Sequence, residues 1–117
     1  MTSPDNSRQT VTIYKAPQPG KTEKFLKNGF QPADFPHTPP YADGKCYFAS
    51  SNSRSLAEEY NNHYQQGILE VLIDKEIYDQ QFKPLERPYQ GSSRIELPIP
   101  HGLLPILNQF PRILKPQ

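Results

Sequence analysis

The sequence predicts an α+β domain: a small sheet of mixed or antiparallel strands, one main helix over about residues 53–66, and short flanking helices. Apolar residues alternate with polar ones in "TVTIYK" (10–15) and "RIELPI" (94–99), the period of a strand. "SRSLAEEYNNHYQQG" (53–67) instead repeats at helical spacing, from a polar start to a glycine stop. The fourteen prolines fall between such runs without a period, so they act as punctuation and exclude collagen-like or low-complexity chains.

Residues 1–9 are polar and read as a disordered tail, leaving 10–117 as a single domain. The first strand, 10–15, sets Val11, Ile13 and Lys15 against Thr12 and Tyr14. "KTEKFLKNGF" has room for two helical turns, with Gly29 placed for a left-handed C-terminal residue. Residues 31–45, "QPADFPHTPPYADGK", carry four prolines and no periodicity; such loops in small domains are usually functional, which makes this one a candidate lid. "CYFAS" (46–50) is a compact strand. In the main helix Ser55 and Glu58 have capping-box spacing, and Leu56, Tyr60 and Tyr64 form the expected buried stripe.

"ILEVLID" (68–74) is apolar enough for a central strand, with Leu69, Val71 and Ile73 on one face. "KEIYDQQFKP" fits either a helical turn or a short strand, and "LERPYQGSS" reads as a loop. "HGLLPILNQF" suits a short helix in which Pro105 is tolerated only in the first turn, and "PRILKPQ" a last extended piece or tail.

Only 34% of residues are hydrophobic and mean hydropathy is −0.79, so the core is modest. A net charge of +1 supplies no long-range field toward nucleic acid or an acidic membrane. The lone Cys46 excludes an internal disulfide and a cysteine-rich metal site, and its apolar neighbours suggest burial. The N-terminus lacks signal-peptide character, and no apolar run approaches the roughly 18 residues that span a bilayer. The chain reads as soluble, either alone or as one module of a larger exported protein.

Within "RIELPI", period two sends Ile95, Leu97 and Ile99 to one face and Arg94 and Glu96 to the other. A carboxylate there is solvated, paired or lining a cleft, because an isolated buried one would protonate. Arg94 is the nearest expected partner.

Tyr14-Lys15 at the end of the first strand, "YFAS" (47–50), Ala57 and Tyr60 on the main helix, and Glu96 on a late strand occur in an order that carries a resemblance. Over residues 11–108 the chain resembles the ADP-ribosyltransferase-like C-terminal toxin domains of bacterial polymorphic toxins, of the contact-dependent or Rhs type. The resemblance implies a split sheet, NAD as co-substrate, no metal, and Glu96 as the catalytic carboxylate stabilising the positive charge that builds on the ribose. It implies binding roles for Tyr14, Lys15, Tyr47, Ser50 and Tyr89: Lys15 on a phosphate or the nicotinamide side, Ser50 orienting Glu96 or the ribose, Tyr47 or Tyr89 stacking on the ring. Lys15 keeps the charge of the family's Arg or His but not the planar fork. Arg94 replaces the Glu or Gln of arginine modifiers, which points to a different acceptor or an inactive relative.

The resemblance further implies an antibacterial, monomeric domain delivered into a target cell's cytoplasm as part of a larger toxin, without a membrane of its own. A macromolecular acceptor and a cognate immunity protein would be its partners. Plainer roles compete: Tyr47 and Tyr60 as core aromatics, Ser50 as a strand-end residue, Lys15 as a solvated cation. Two other classes remain open. One is a metal-free ribonuclease using His37, His63, His101 and Lys15, against which the near-neutral charge argues. The other is a non-catalytic interaction domain.

Overall fold

A computed structural model describes residues 9–36 and 43–116. The predicted tail, apart from Gln9, and the centre of the proposed lid, including His37, lie outside the described residues. The strands are β1 (Thr10–Lys15), β2 (Cys46–Ala49), β3 (Ile68–Asp74), β4 (Arg87–Pro88), β5 (Ile95–Ile99) and β6 (Arg112–Lys115). The helices are α1 (Thr22–Asn28), α2 (Arg54–Tyr64), α3 (Lys75–Ile77) and α4 (Leu104–Leu107). The strands join one sheet in the order β4-β5-β2-β1-β3-β6, and each recorded pairing is antiparallel, so the α+β expectation holds with no mixed strand.

Register follows the hydrophobic alternation. Pairing Ile13 with Val71 and Val11 with Ile73, then Phe48 with Leu97 and Cys46 with Ile99, sets one continuous apolar face. Ile13, Cys46, Leu69, Val71, Ile73, Leu97 and Ile99 are all fully buried there. Burial of this kind stabilises by about 1.5–3 kcal/mol for each large aliphatic side chain. The face is covered by Phe25 of α1, by Phe30 and Phe35 after it, by Tyr78 and Phe82 of the turns following β3, and by Leu104 and Leu107 of α4.

Local chemistry sets the helix ends. α1 stops at Gly29, whose φ of 73° favours glycine and whose N–H reaches the Phe25 carbonyl. There the Asn108 side chain accepts from the Phe30 N–H (2.8 Å) and donates to its carbonyl (2.9 Å), tying α1 to the C-terminal segment. α2 begins at Ser53 rather than in a Ser55–Glu58 capping box. Ser53 Oγ accepts from the Ile95 N–H at 2.8 Å, so it fastens the helix to β5 instead of capping it. The C-terminus of α2 turns through Gln65, with φ 57°.

The expected α2 stripe is corrected too. Leu56, Ala57 and Asn61 are the buried positions, whereas Tyr60 is 41% exposed. Leu56 and Ala57 pack on Ala49 and Ile68, on the sheet face opposite the main core. "KEIYDQQFKP" resolves as helical turns, and "LERPYQGSS" contains the two-residue strand β4. Among the described residues, no helix is long and apolar enough to cross a membrane.

Candidate functional site

β1 pairs with β3 over six positions, Thr10 to Lys15, but meets β2 at one, Tyr14 opposite Ala49. Across this narrow junction Lys15 Nζ donates to the Tyr47 carbonyl at 2.9 Å and lies over the rings of Phe35 (5.3 Å) and Phe48 (5.6 Å). A cleft of about 570 Å³ opens there, between the β1 and β2 ends, α2 and the turn after β4. Its size lies within the range of about 300–1,000 Å³ usual for small-molecule sites.

Five of the six tyrosines among the described residues, Tyr14, Tyr47, Tyr60, Tyr64 and Tyr89, line this cleft. Tyr60 stacks on Tyr64 with centroids 6.3 Å apart and meets Tyr89 edge-on at 6.3 Å, and the Tyr60 and Tyr89 hydroxyls are 2.9 Å apart. Burial, then the bond to Tyr89, pushes the Tyr60 phenol well above its ordinary range, so it stays protonated at physiological pH. The wall is aromatic with polar tips, and guanidinium groups of Arg54, Arg87 and Arg94 lie over Tyr14, Tyr47 and Tyr89, a mix of ring and cation suited to planar, anionic ligands.

Glu96 lies in the same wall, opposite Ala49 on β2 and Arg87 on β4. Its side chain is 14% exposed, and Oε2 accepts from Arg87 Nε at 2.6 Å. The expected pairing with Arg94 is not found: Arg94 Nη1 bonds Glu59 at 2.9 Å, and its guanidinium lies 5.6 Å from the Tyr89 ring centre. Arg87 Nη2 also donates to Tyr47 Oη at 3.1 Å, and Tyr47 in turn donates to the Asp43 carboxylate. That bond from Tyr47 holds Asp43 below its usual carboxylate range, while burial and Asp43 raise Tyr47. Arg87 is itself raised by its bond to Glu96.

Lys15, Lys21, Lys45 and Arg87 line the cleft against the carboxylates of Asp34 and Glu96. Asp34 is bound to Lys24 outside the lining at 2.5 Å. The chain is nearly neutral, yet this concavity carries a cationic surplus and favours an anionic ligand.

Of the residues predicted for the site, the cleft gathers Tyr14, Lys15, Tyr47, Tyr89 and Glu96. Ser50 stands apart: it is buried in the turn after β2, its N–H bonds the Ile95 carbonyl, its own carbonyl accepts from the Ser53 N–H, and it does not line the cleft. The strand-end role is the one its position fits. Of the nuclease candidates, His63 has its ring against Tyr64, and His101 Nε2 is 2.7 Å from the Phe35 carbonyl; neither lines the cleft. Among the described residues, no three of His, Cys, Asp and Glu are grouped to hold a metal ion. Cys46 is fully buried, and burial pushes its thiol up to about 11, which leaves it unreactive as a nucleophile.

Arg87, Tyr64 and Gln18 are wall residues not identified from sequence. For Arg87 a signal existed, since a proline and a glycine between Arg87 and Glu96 suit a hairpin that would set the two side by side. Compared with protein-family models, curated proteins and solved structures, the chain matches none.

Proposed function

We propose that the cleft binds NAD as co-substrate and that Glu96 assists cleavage of the nicotinamide–ribose bond, passing ADP-ribose to a macromolecular acceptor or to water. The observation that carries this reading is one carboxylate, held by a single oxygen, in a tyrosine-lined cleft with surplus positive charge. NAD offers what such a wall recognises: two planar heterocycles for the tyrosines and a pyrophosphate for the cations.

In the proposed step the C–N bond breaks with its electron pair remaining on the nicotinamide nitrogen. The anomeric carbon becomes cationic, and the incoming nucleophile adds its lone pair there and loses its proton. Glu96 is fixed before the reaction, so its negative charge acts on the developing cation without reorganisation, and more strongly where tyrosines exclude water. Tyr14, Tyr47 and Tyr89 offer the ring faces that Arg54, Arg87 and Arg94 leave uncovered, and Lys15 ties the junction at one end of the same cavity through the Tyr47 carbonyl. On this reading the domain is an antibacterial toxin delivered into a target cell, and its immunity partner covers the cleft.

The test supplies adenine-labelled NAD and a cell extract to the purified domain, following nicotinamide release and label on protein, RNA and DNA. The Glu96→Gln variant is expected to lose at least about 100-fold in turnover while keeping its circular-dichroism spectrum. A wild-type domain inert toward NAD, or a Glu96→Gln variant that turns it over normally, refutes the proposal.

A further inference from the structure

We infer that Arg87, rather than Lys15, recognises the anionic group of the ligand, and that the same guanidinium positions Glu96. The inference rests on reading the cleft as the site of an anionic ligand. Lys15 is ill placed for that role. One of its three N–H groups is on the Tyr47 carbonyl and its Nζ lies 5.3 and 5.6 Å from the Phe35 and Phe48 ring centres, where it ties β1 to β2. An ammonium drawn out to a phosphate would leave that carbonyl without its donor.

Arg87 has the opposite character. It stands on the edge strand β4, its side chain is 48% exposed, and it lines the cleft. A guanidinium has five N–H groups in a planar fork. Two are used, Nε on Glu96 and one Nη2 hydrogen on Tyr47, and these bonds hold the lateral edge of the guanidinium. The remaining N–H groups match the paired oxygens of a phosphate or pyrophosphate, the geometry that a lysine cannot reproduce. The guanidinium also lies 5.6 Å from the Tyr47 ring centre, within cation–π reach.

The two tasks are linked through the carboxylate. Oε2 of Glu96 is occupied by Arg87, and no recorded bond among the described residues reaches Oε1, which is left to accept from a ligand hydroxyl. One arginine therefore holds the acid in place and reports, through its other edge, that an anion has arrived beside it.

Inorganic pyrophosphate serves as the probe, with calorimetry on the wild type, Arg87→Gln, Arg87→Lys and Lys115→Gln. Lys115→Gln removes one charge at an exposed position of β6, at the opposite edge of the sheet, and controls for net charge. Arg87→Gln is expected to weaken pyrophosphate binding at least about 10-fold, the loss of a charge-assisted contact. Arg87→Lys should recover part of that binding. Lys115→Gln should bind within about twofold of the wild type. In NAD turnover, Arg87→Lys is expected to raise KM and lower kcat together, since a point charge cannot hold Glu96 and the ligand at once.

Wild-type binding retained in Arg87→Gln, equal weakening in Lys115→Gln, or no pyrophosphate binding by the wild type each overturns the inference. A rise in KM with kcat intact overturns the positioning role alone. Should Arg87→Gln fail to fold, Arg87→Lys carries the binding comparison. Pyrophosphate binding that depends on Arg87 without any NAD turnover would remove the proposed reaction and leave the anion site standing.

Discussion

Asn61 offers a quantitative test of how α2 is held against the cleft. The side chain is fully buried, and its Oδ1 accepts from the N–H groups of Gln66 (3.0 Å) and Gly67 (2.9 Å). Replacing it with Ala removes both bonds at once and leaves the Gly67 N–H buried without a partner. An unpaired buried donor costs about 1–3 kcal/mol, and the part-buried Gln66 N–H costs less because solvent can reach it. Against this, Asn61 Nδ2 has no partner among the described residues, and deleting that buried donor returns about 1 kcal/mol. The balance is a loss of about 2 kcal/mol. With a urea m-value of about 1–3 kcal/mol per M, the unfolding midpoint should fall by roughly 1 M at unchanged m. Asn61→Asp keeps the acceptor but places a charge in a site without solvent, so it should be no more stable than Asn61→Ala. An Asn61→Ala midpoint at the wild-type value would show that these bonds do not secure the turn between α2 and β3.

Three further outcomes are expected. Gly29→Ala should lose about 2 kcal/mol or more in urea unfolding, because φ is 73° and a Cβ would stand 2.6 Å from Asn108 Oδ1, an atom held by its bond to Phe30. Stability should fall as pH rises from about 8 to about 10.5. The Cys46 thiol, near 9 when unfolded and pushed up to about 11 by burial, binds a proton in the native state that the unfolded chain releases. The sign is a loss of about 2 kcal/mol by about pH 10.5, read as a falling urea midpoint, and a flat profile would contradict the burial of Cys46. A double-mutant cycle on Tyr60→Phe and Tyr89→Phe should give a coupling of about 0.5–1.5 kcal/mol, the worth of one hydroxyl–hydroxyl bond, and zero coupling would mean that the bond does not form in solution.

Much of the architecture was readable from periodicity. β1 and the start of β6 fall where alternation or a proline places them, and α1 ends at the glycine expected to end it. Glu96 was assigned to the polar face of its strand for the same reason, because a period of two leaves no other choice. The helix α2 misled, since Tyr60 and Tyr64 recur at the spacing of a core stripe. Periodicity identifies one face of a helix but not what that face meets, and here Leu56 and Ala57 pack on the sheet at the cleft's inner end while the two tyrosines extend along its wall. Asn61 was hidden by its polarity, as its burial depends on a bond to a turn five and six residues onward. Arg94 is the partner that sequence suggests for Glu96, because it is close along the chain on the same face. The hairpin instead sets Arg87 directly across from that acid, and cross-strand neighbours on one face are closer than neighbours along a strand.

The meeting of β1 and β2 at Tyr14 and Ala49 has a mechanical consequence. Three strands lie on either side of that single rung, β4-β5-β2 and β1-β3-β6, each trio knit by several rungs of its own. A guest wedged between them works against one rung and the Lys15 tether, while the apolar layer behind the sheet flexes like a spine beneath two covers. The sheet's backbone pairing thus opposes such widening least at the place where the cleft opens.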